Sequence, residues 1–107
     1  MTPAFAIVLT TFPAEGDAEA LARALVGERL AACVNILPPM RSIYRWAGAI
    51  DSATECQIIM KTTADRVDAL KARLLELHPY ELPEILVLPI SGGGEAYLNW
   101  IADSITT

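Results

Sequence analysis

The sequence predicts an α+β fold, a four-stranded antiparallel sheet with helices on one face and a further helix at the C-terminal end. Two observations carry that prediction. Hydrophobic patterning switches from a short apolar run to a 3.6-residue stripe and back, twice along the chain. Between the two helical stretches lies extended sequence broken only by Pro38-Pro39 and an Ala47-Gly48 turn, the mark of one long hairpin.

Ala4–Leu9 is a continuous apolar run with aromatic and β-branched residues, as expected of a central strand buried on both faces. It is expected to stop at Thr10-Thr11-Phe12-Pro13. From Gly16 to Leu30, Leu21, Ala22 and Leu25 recur at helical spacing among charged residues. Asp17 and Glu19 occupy the first turn, where the helix dipole favours anions. Cys33–Leu37 reads as a second strand, interrupted at Pro38-Pro39 because proline cannot donate to a ladder. Ser42–Trp46 resumes it, and Glu55–Thr62 is the returning strand.

Thr62 or Thr63 is expected to cap the second helix, with Asp65 in its first turn. Val67, Leu70, Leu74 and Leu77 then form its apolar stripe, and His78-Pro79-Tyr80 ends it. Glu84–Pro89 is the fourth strand, Gly92-Gly93-Gly94 a flexible loop, and Ala96–Ile105 the last helix. The order β-α-β-β-α-β plus a helix is that of the ferredoxin-like fold, two right-handed crossovers joined by a hairpin. Residues 1–107 make a single domain, with no linker, low-complexity segment or solenoid repeat. In that architecture one sheet face and the free hairpin edge are left bare, so closed self-association is expected.

Bulk properties narrow the function. The apolar share is 53% and the mean hydropathy +0.38, consistent with a surface that a second subunit covers. Net charge is −5, and the eight Lys and Arg residues are scattered singly from Arg23 to Arg73. Nucleic acid is therefore not an expected partner. No apolar run approaches the ~20 residues needed to span a bilayer, so no membrane partner is expected. The start carries no signal-peptide pattern, and a cytoplasmic location is the expectation.

Strand alternation puts Glu55, Gln57, Ile59 and Lys61 on one face and Cys56, Ile58 and Met60 on the other. Glu55 and Lys61 read as a loose ion pair on a solvated face. With Tyr44 and Trp46 on the facing strand, they also read as the lining of a cleft that stacks a flat ligand or anchors a neighbouring subunit. Cys33 and Cys56 are about six residues apart along the hairpin, ~20 Å at strand rise, beyond a disulfide. Both are expected as small core hydrophobes. The single histidine, His78, closes the second helix, where it can cap or pack. A trimer would present it three times, making a shared metal site possible. No hydrolase, zinc-protease, Walker or Rossmann pattern is present, and the three glycines lack the Lys and Ser or Thr of a P-loop. The chain is not expected to be an enzyme.

Several segments together resemble the CutA divalent-cation tolerance family. Glu28-Arg29-Leu30-Ala31-Ala32-Cys33-Val34-Asn35-Ile36 resembles its helix-to-strand junction, and Ser42-Ile43-Tyr44-Arg45-Trp46-Ala47-Gly48 its Ser-x-Tyr-x-Trp-x-Gly hairpin. Glu55 with Lys61-Thr62 is similar to its third strand. His78-Pro79-Tyr80-Glu81-Leu82-Pro83-Glu84 is similar to its His-Pro-Tyr-x-x-Pro-Glu loop, and Tyr97-Leu98-x-Trp100 to its last helix. The resemblance covers nearly the whole chain. It implies a ferredoxin-like protomer in a PII-like homotrimer that binds divalent metal such as Cu(II).

Of the implied metal residues this chain keeps His78, and the nearby carboxylates Glu81 and Glu84 are expected to assist it. This chain has Thr10 and Leu77 where some members carry a Cys and a second His. Cys33, Tyr80 and Trp100 are expected in packing or interfaces. Two alternatives remain open: a small-molecule sensor or signalling adaptor using a cleft between subunits, lined by Tyr44, Trp46, Glu55 and Lys61, and a trimeric structural scaffold.

Overall fold

The structure is a computed structural model that describes residues 4–106. Strand β1 (Phe5–Pro13) leads to helix α1 (Ala18–Gly27), followed by β2 (Cys33–Ile36), β3 (Met40–Trp46) and β4 (Ala49–Thr63). A 3-10 turn (Ala64–Arg66) opens α2 (Val67–Leu77), and β5 (Leu86–Ile90) and α3 (Glu95–Ile105) complete the chain. The sheet order is β2-β4-β1-β5, with β3 also paired to β4, and these four pairings are antiparallel. β2 and β3 are successive segments of one broken strand position, so the sheet is the four-position ferredoxin-like sheet.

β1 runs four residues beyond its expected end. Thr10, Thr11 and Phe12 are good strand formers, and β4 is long enough to pair all the way to Pro13↔Glu55. β4 itself begins six residues earlier than expected. Its first residues, Ala49–Thr54, pair only with β3, and most are exposed, so the alternation that betrays a half-buried strand is missing there.

The interruption at Pro38-Pro39 has a measurable consequence. Ala47 and Gly48, with φ of 50° and 80°, form the tight turn and fix Met40 opposite Glu55. Beyond the prolines, Cys33 lies opposite Lys61. Between Leu37, which donates to the Gln57 carbonyl, and Met40, three steps of chain face two steps of β4. One residue is absorbed as a bulge, shifting the register by one.

The main core sits between α1 and α2 and the even-numbered face of β1 and β4. Leu25, Leu70 and Leu74 pack there against Val8, Ile58 and Met60, all 0% exposed. Val67 and Leu77 flank them, so the predicted α2 stripe is the buried one. The Asp17 side chain accepts the Ala20 N–H at 3.0 Å and caps α1. Thr63 does not cap α2. Its hydroxyl bonds the Asp65 carboxylate, and the helix starts through the 3-10 turn instead. At the other end of α1 the Leu30 N–H reaches the Leu25 carbonyl and the Arg29 N–H that of Val26, with Arg29 at φ 59°. This is the Schellman closure with arginine where glycine is usual.

That arginine has a use. Arg29 and Arg66 bond the carbonyls of Ser104, Ile105 and Thr106, where the α3 dipole is negative. α3 crosses the second sheet face, with Ile101 and Ile105 packed on Phe5 and Ile90. The expectation of a wholly bare second face is thereby corrected: one end is covered. The rest, including Ile7, Leu9 and Ile59, remains half-exposed, and Leu86 and Leu88 on the β5 edge are exposed.

The hairpin tip projects, stretching the molecule to 48 × 26 × 23 Å. Ala47 occupies the left-handed region at a cost of roughly 1–2 kcal/mol that asparagine largely avoids. Ala47→Asn is expected to raise the stability by roughly 1 kcal/mol, read as a higher thermal midpoint, with the Asn-Gly pair favouring the same two-residue turn.

Candidate functional site

An open cleft of about 1020 Å³ lies between the hairpin, the end of β1 and the loop 78–84. Its position follows from local chemistry. His78 leaves α2 in an extended conformation (φ −81°, ψ 135°), as a residue before proline must. Its ring is buried, edge-on to Phe12 at 5.2 Å and tilted against Tyr80 at 4.8 Å. Nε2 lies 2.6 Å from the Thr11 carbonyl oxygen, and Nδ1 accepts the Tyr80 N–H at 3.1 Å. A carbonyl only accepts and an amide N–H only donates, so the proton sits on Nε2. The ring pins the loop across the end of β1.

Tyr80 then turns into the cleft and donates its hydroxyl to Glu55 Oε2 at 2.7 Å. Burial, followed by the bond to Glu55 and the negative charges of Glu55 and Glu15, pushes the Tyr80 phenol well above its ordinary value. Deeper along the same face, Gln57 Nε2 donates to the Thr10 carbonyl at 2.7 Å and to Glu84 Oε2 at 3.1 Å. The bond to Glu84, together with that of Tyr80 to Glu55, ties the loop to β4 at two points.

The lining carries five carboxylates, Glu15, Asp51, Glu55, Glu81 and Glu84, and no Lys, Arg or His. Tyr44, Trp46 and Tyr80 supply aromatic surface. Glu55 is the buried member, 7% exposed; Glu81 is exposed at the rim.

The structure divides the residues expected from the sequence. Tyr44, Trp46 and Glu55 line the cleft together. Lys61 does not join them: six residues along β4, its Nζ lies 3.4 Å from the Tyr97 hydroxyl and 5.7 Å from that ring's centroid. Glu55 therefore makes no ion pair with Lys61; its hydrogen bond is to Tyr80. Glu81 and Glu84 share the cleft, whereas both nitrogens of His78 are engaged beneath it. Among the described residues no three His, Cys, Asp or Glu side chains converge as a metal cage would require. Cys56 is in the core and Cys33 is half-buried on the opposite sheet face, both as free thiols. Trp100 stacks on Tyr97 at 5.4 Å and is half-exposed. The sequence reading missed Glu15 and Asp51, whose loop and hairpin positions carry no periodic signal. It also missed the Tyr80–Glu55 bond, for which the shared parity of Glu55 and Gln57 was the available clue.

The class defined here is a ferredoxin-like fold with an acidic, aromatic cleft beside its hairpin. The chain belongs to the CutA1 divalent ion tolerance protein family, whose model matches residues 6–104. The divalent-cation tolerance protein CutA of Thermus thermophilus is 48% identical over 98 residues, covering 92% of this chain and 95% of the relative. Among solved structures, CutA1 from Ehrlichia chaffeensis superposes with a TM-score of 0.93 at 30% identity, covering 100% of both chains. CutA from Xylella fastidiosa gives 0.91 at 44% identity, covering 95% of this chain and 98% of that one.

The raised Tyr80 phenol makes a pH prediction. A free phenol ionises near pH ~10. The folded-state value lies higher, so the Tyr80–Glu55 bond contributes fully below that pH and is lost only as pH rises through the folded value. In an ultraviolet titration a late-ionising tyrosine component is expected, and Tyr80→Phe should remove it.

Proposed function

We propose that this protein is a cation-tolerance protein that acts by binding divalent cations in a closed homotrimer, not by catalysis. The observation that carries the reading is the cleft lined by five carboxylates with no basic side chain. Its field attracts and holds positive ions. Relatives at 48% and 42% identity bear the name divalent-cation tolerance protein, which points to the same ligand class. Glu81 and Glu84 are the proposed ligands. They are oxygen donors, to which hard divalent ions are suited, and Cu(II) is the family's implied metal. His78 supports them by holding the loop.

Assembly is favoured by what the single chain leaves uncovered. Ile43 and Ile50 are both 74% exposed on the face of the projecting hairpin opposite Tyr44 and Trp46. A two-stranded ribbon of this kind is marginal alone, and closed symmetry covers it without leaving an open edge. The homotrimer is the assembly the family resemblance implies.

The test joins mass and titration. Light scattering should give three chains, and calorimetry with Cu(II) on the same sample should give stoichiometric heat. Replacing both Glu81 and Glu84 by Gln should weaken binding about a hundredfold or more, each lost charged ligand being worth ~1.5–3 kcal/mol. A trimer with unchanged copper affinity in that double variant would remove these carboxylates from the account.

A second reading, a small-molecule sensor, is favoured by one observation: Tyr44, Trp46 and Glu55 line one cleft large enough for an organic ligand. The scaffold reading would have Trp46 serve assembly alone.

A further inference from the structure

Glu55 is an unusual carboxylate. It is 7% exposed, yet among the described residues it makes no ion pair, and its one hydrogen-bond donor is the Tyr80 hydroxyl. A buried carboxylate without a counter-charge is costly. Tyr80 does not supply that charge, since a phenol is neutral or anionic and acts here only as a hydrogen-bond donor. A cation seated in the cleft beside Glu55 would supply it.

The surroundings indicate what kind of cation fits. The carboxylates are dispersed rather than convergent. Asp51 and Glu55 share a face of β4 four residues apart, about 13 Å at strand rise, whereas oxygens bound to one metal ion lie within about 2.6 Å of it. No three acidic, His or Cys groups converge among the described residues. Along the ribbon Met40 stands opposite Glu55, Tyr44 opposite Asp51 and Trp46 two residues further out, so an apolar and aromatic wall runs beside the carboxylates. Aromatic faces attract organic ammonium groups, and the same faces cover methylene chains. Charges spaced along an apolar track match a cation that is itself spaced along a hydrocarbon.

We propose that the cleft binds an aliphatic polyamine, one ammonium against Glu55 at the inner end and others against the outer carboxylates. Its methylenes lie on Tyr44 and Trp46. This rests on the small-molecule reading and supplies its ligand class. A neighbouring subunit's basic side chain seated on Glu55 is the competing occupant.

The test uses the full-length protein in its native assembly. Spermidine is titrated at low salt by calorimetry and by tryptophan emission, with butylamine and Mg(II) as comparisons. The expected result is one spermidine per chain, much weaker binding of butylamine, and an emission shift lost in Trp46→Phe but kept in Trp100→Phe. Glu55→Gln should weaken spermidine about tenfold or more. If that variant fails to assemble, the exposed pair Asp51→Asn with Glu81→Gln should weaken it comparably.

Absence of heat and shift overturns the proposal, as does an unchanged affinity in Glu55→Gln or displacement by equimolar Mg(II). The copper titration is independent. Spermidine binding without copper binding would defeat the metal reading alone, and copper binding without spermidine binding would defeat this proposal alone.

Discussion

The fifteen-residue strand β4 is the constraint on which the other features depend. Three segments pair with it: β1 along Glu55–Thr63, β2 along Ile58–Lys61 and β3 along Ala49–Glu55. Each alternate side chain of β4 is thereby assigned to a definite layer. Cys56, Ile58 and Met60 enter the helix-covered core, and Glu55, Gln57 and Lys61 are committed to the opposite face. A slip of one residue would exchange the two sets, burying charge and exposing the core. The bulge after Leu37 lets β2 and β3 both satisfy this parity despite two prolines that cannot donate. The cleft exists because β4 continues past the end of β1, leaving Glu55 where the central sheet gives way to the projecting ribbon.

The loop 78–84 turns that strand end into a site. Proline at positions 79 and 83 narrows its conformations, and the His78 ring, Tyr80 hydroxyl and Glu84 carboxylate each attach it to the sheet through a different partner. The bond from His78 to Thr11 anchors the whole loop, so the histidine matters to the site without facing it. Lys61 serves the other end of the same strand face, against Tyr97 of the helix that Arg29 and Arg66 hold by its final carbonyls. The α2–α1 contact is closed by Arg73 and Glu28, whose paired bonds of 2.9 and 3.0 Å hold the Glu28 carboxyl below its ordinary value.

Energetically the molecule is divided. The α1–α2–sheet core is closely sealed, with Val8, Leu25, Ile58, Met60, Leu70 and Leu74 all at 0% exposure. The hairpin and the β5 edge present Ile43, Ile50, Leu86 and Leu88 to solvent. Apolar surface of this extent on strands with open edges favours association over solvation. The cleft carboxylates line the base of the same hairpin, so assembly and ligand entry act on neighbouring surfaces.

The sequence by itself determined the elements, their order and the parity of each strand. Periodicity reports burial, and burial follows from which neighbours a face meets: Leu70 and Leu74 on α2, or Ile58 and Met60 on β4, could be assigned without coordinates. The Ala47-Gly48 turn likewise set the register of β3 by counting. Only the tertiary structure decided the rest, because those outcomes depend on contacts between segments distant in sequence. Glu55 and Lys61 share a strand face, but only the loop crossing one end of it gives Glu55 to Tyr80, and only α3 crossing the other gives Lys61 to Tyr97. His78, a capping or packing residue by position, became a metal candidate through a site shared in a trimer and through the family resemblance. Its two nitrogens proved engaged with Thr11, 67 residues away, and with the Tyr80 backbone. Local pattern carries no record of such partners.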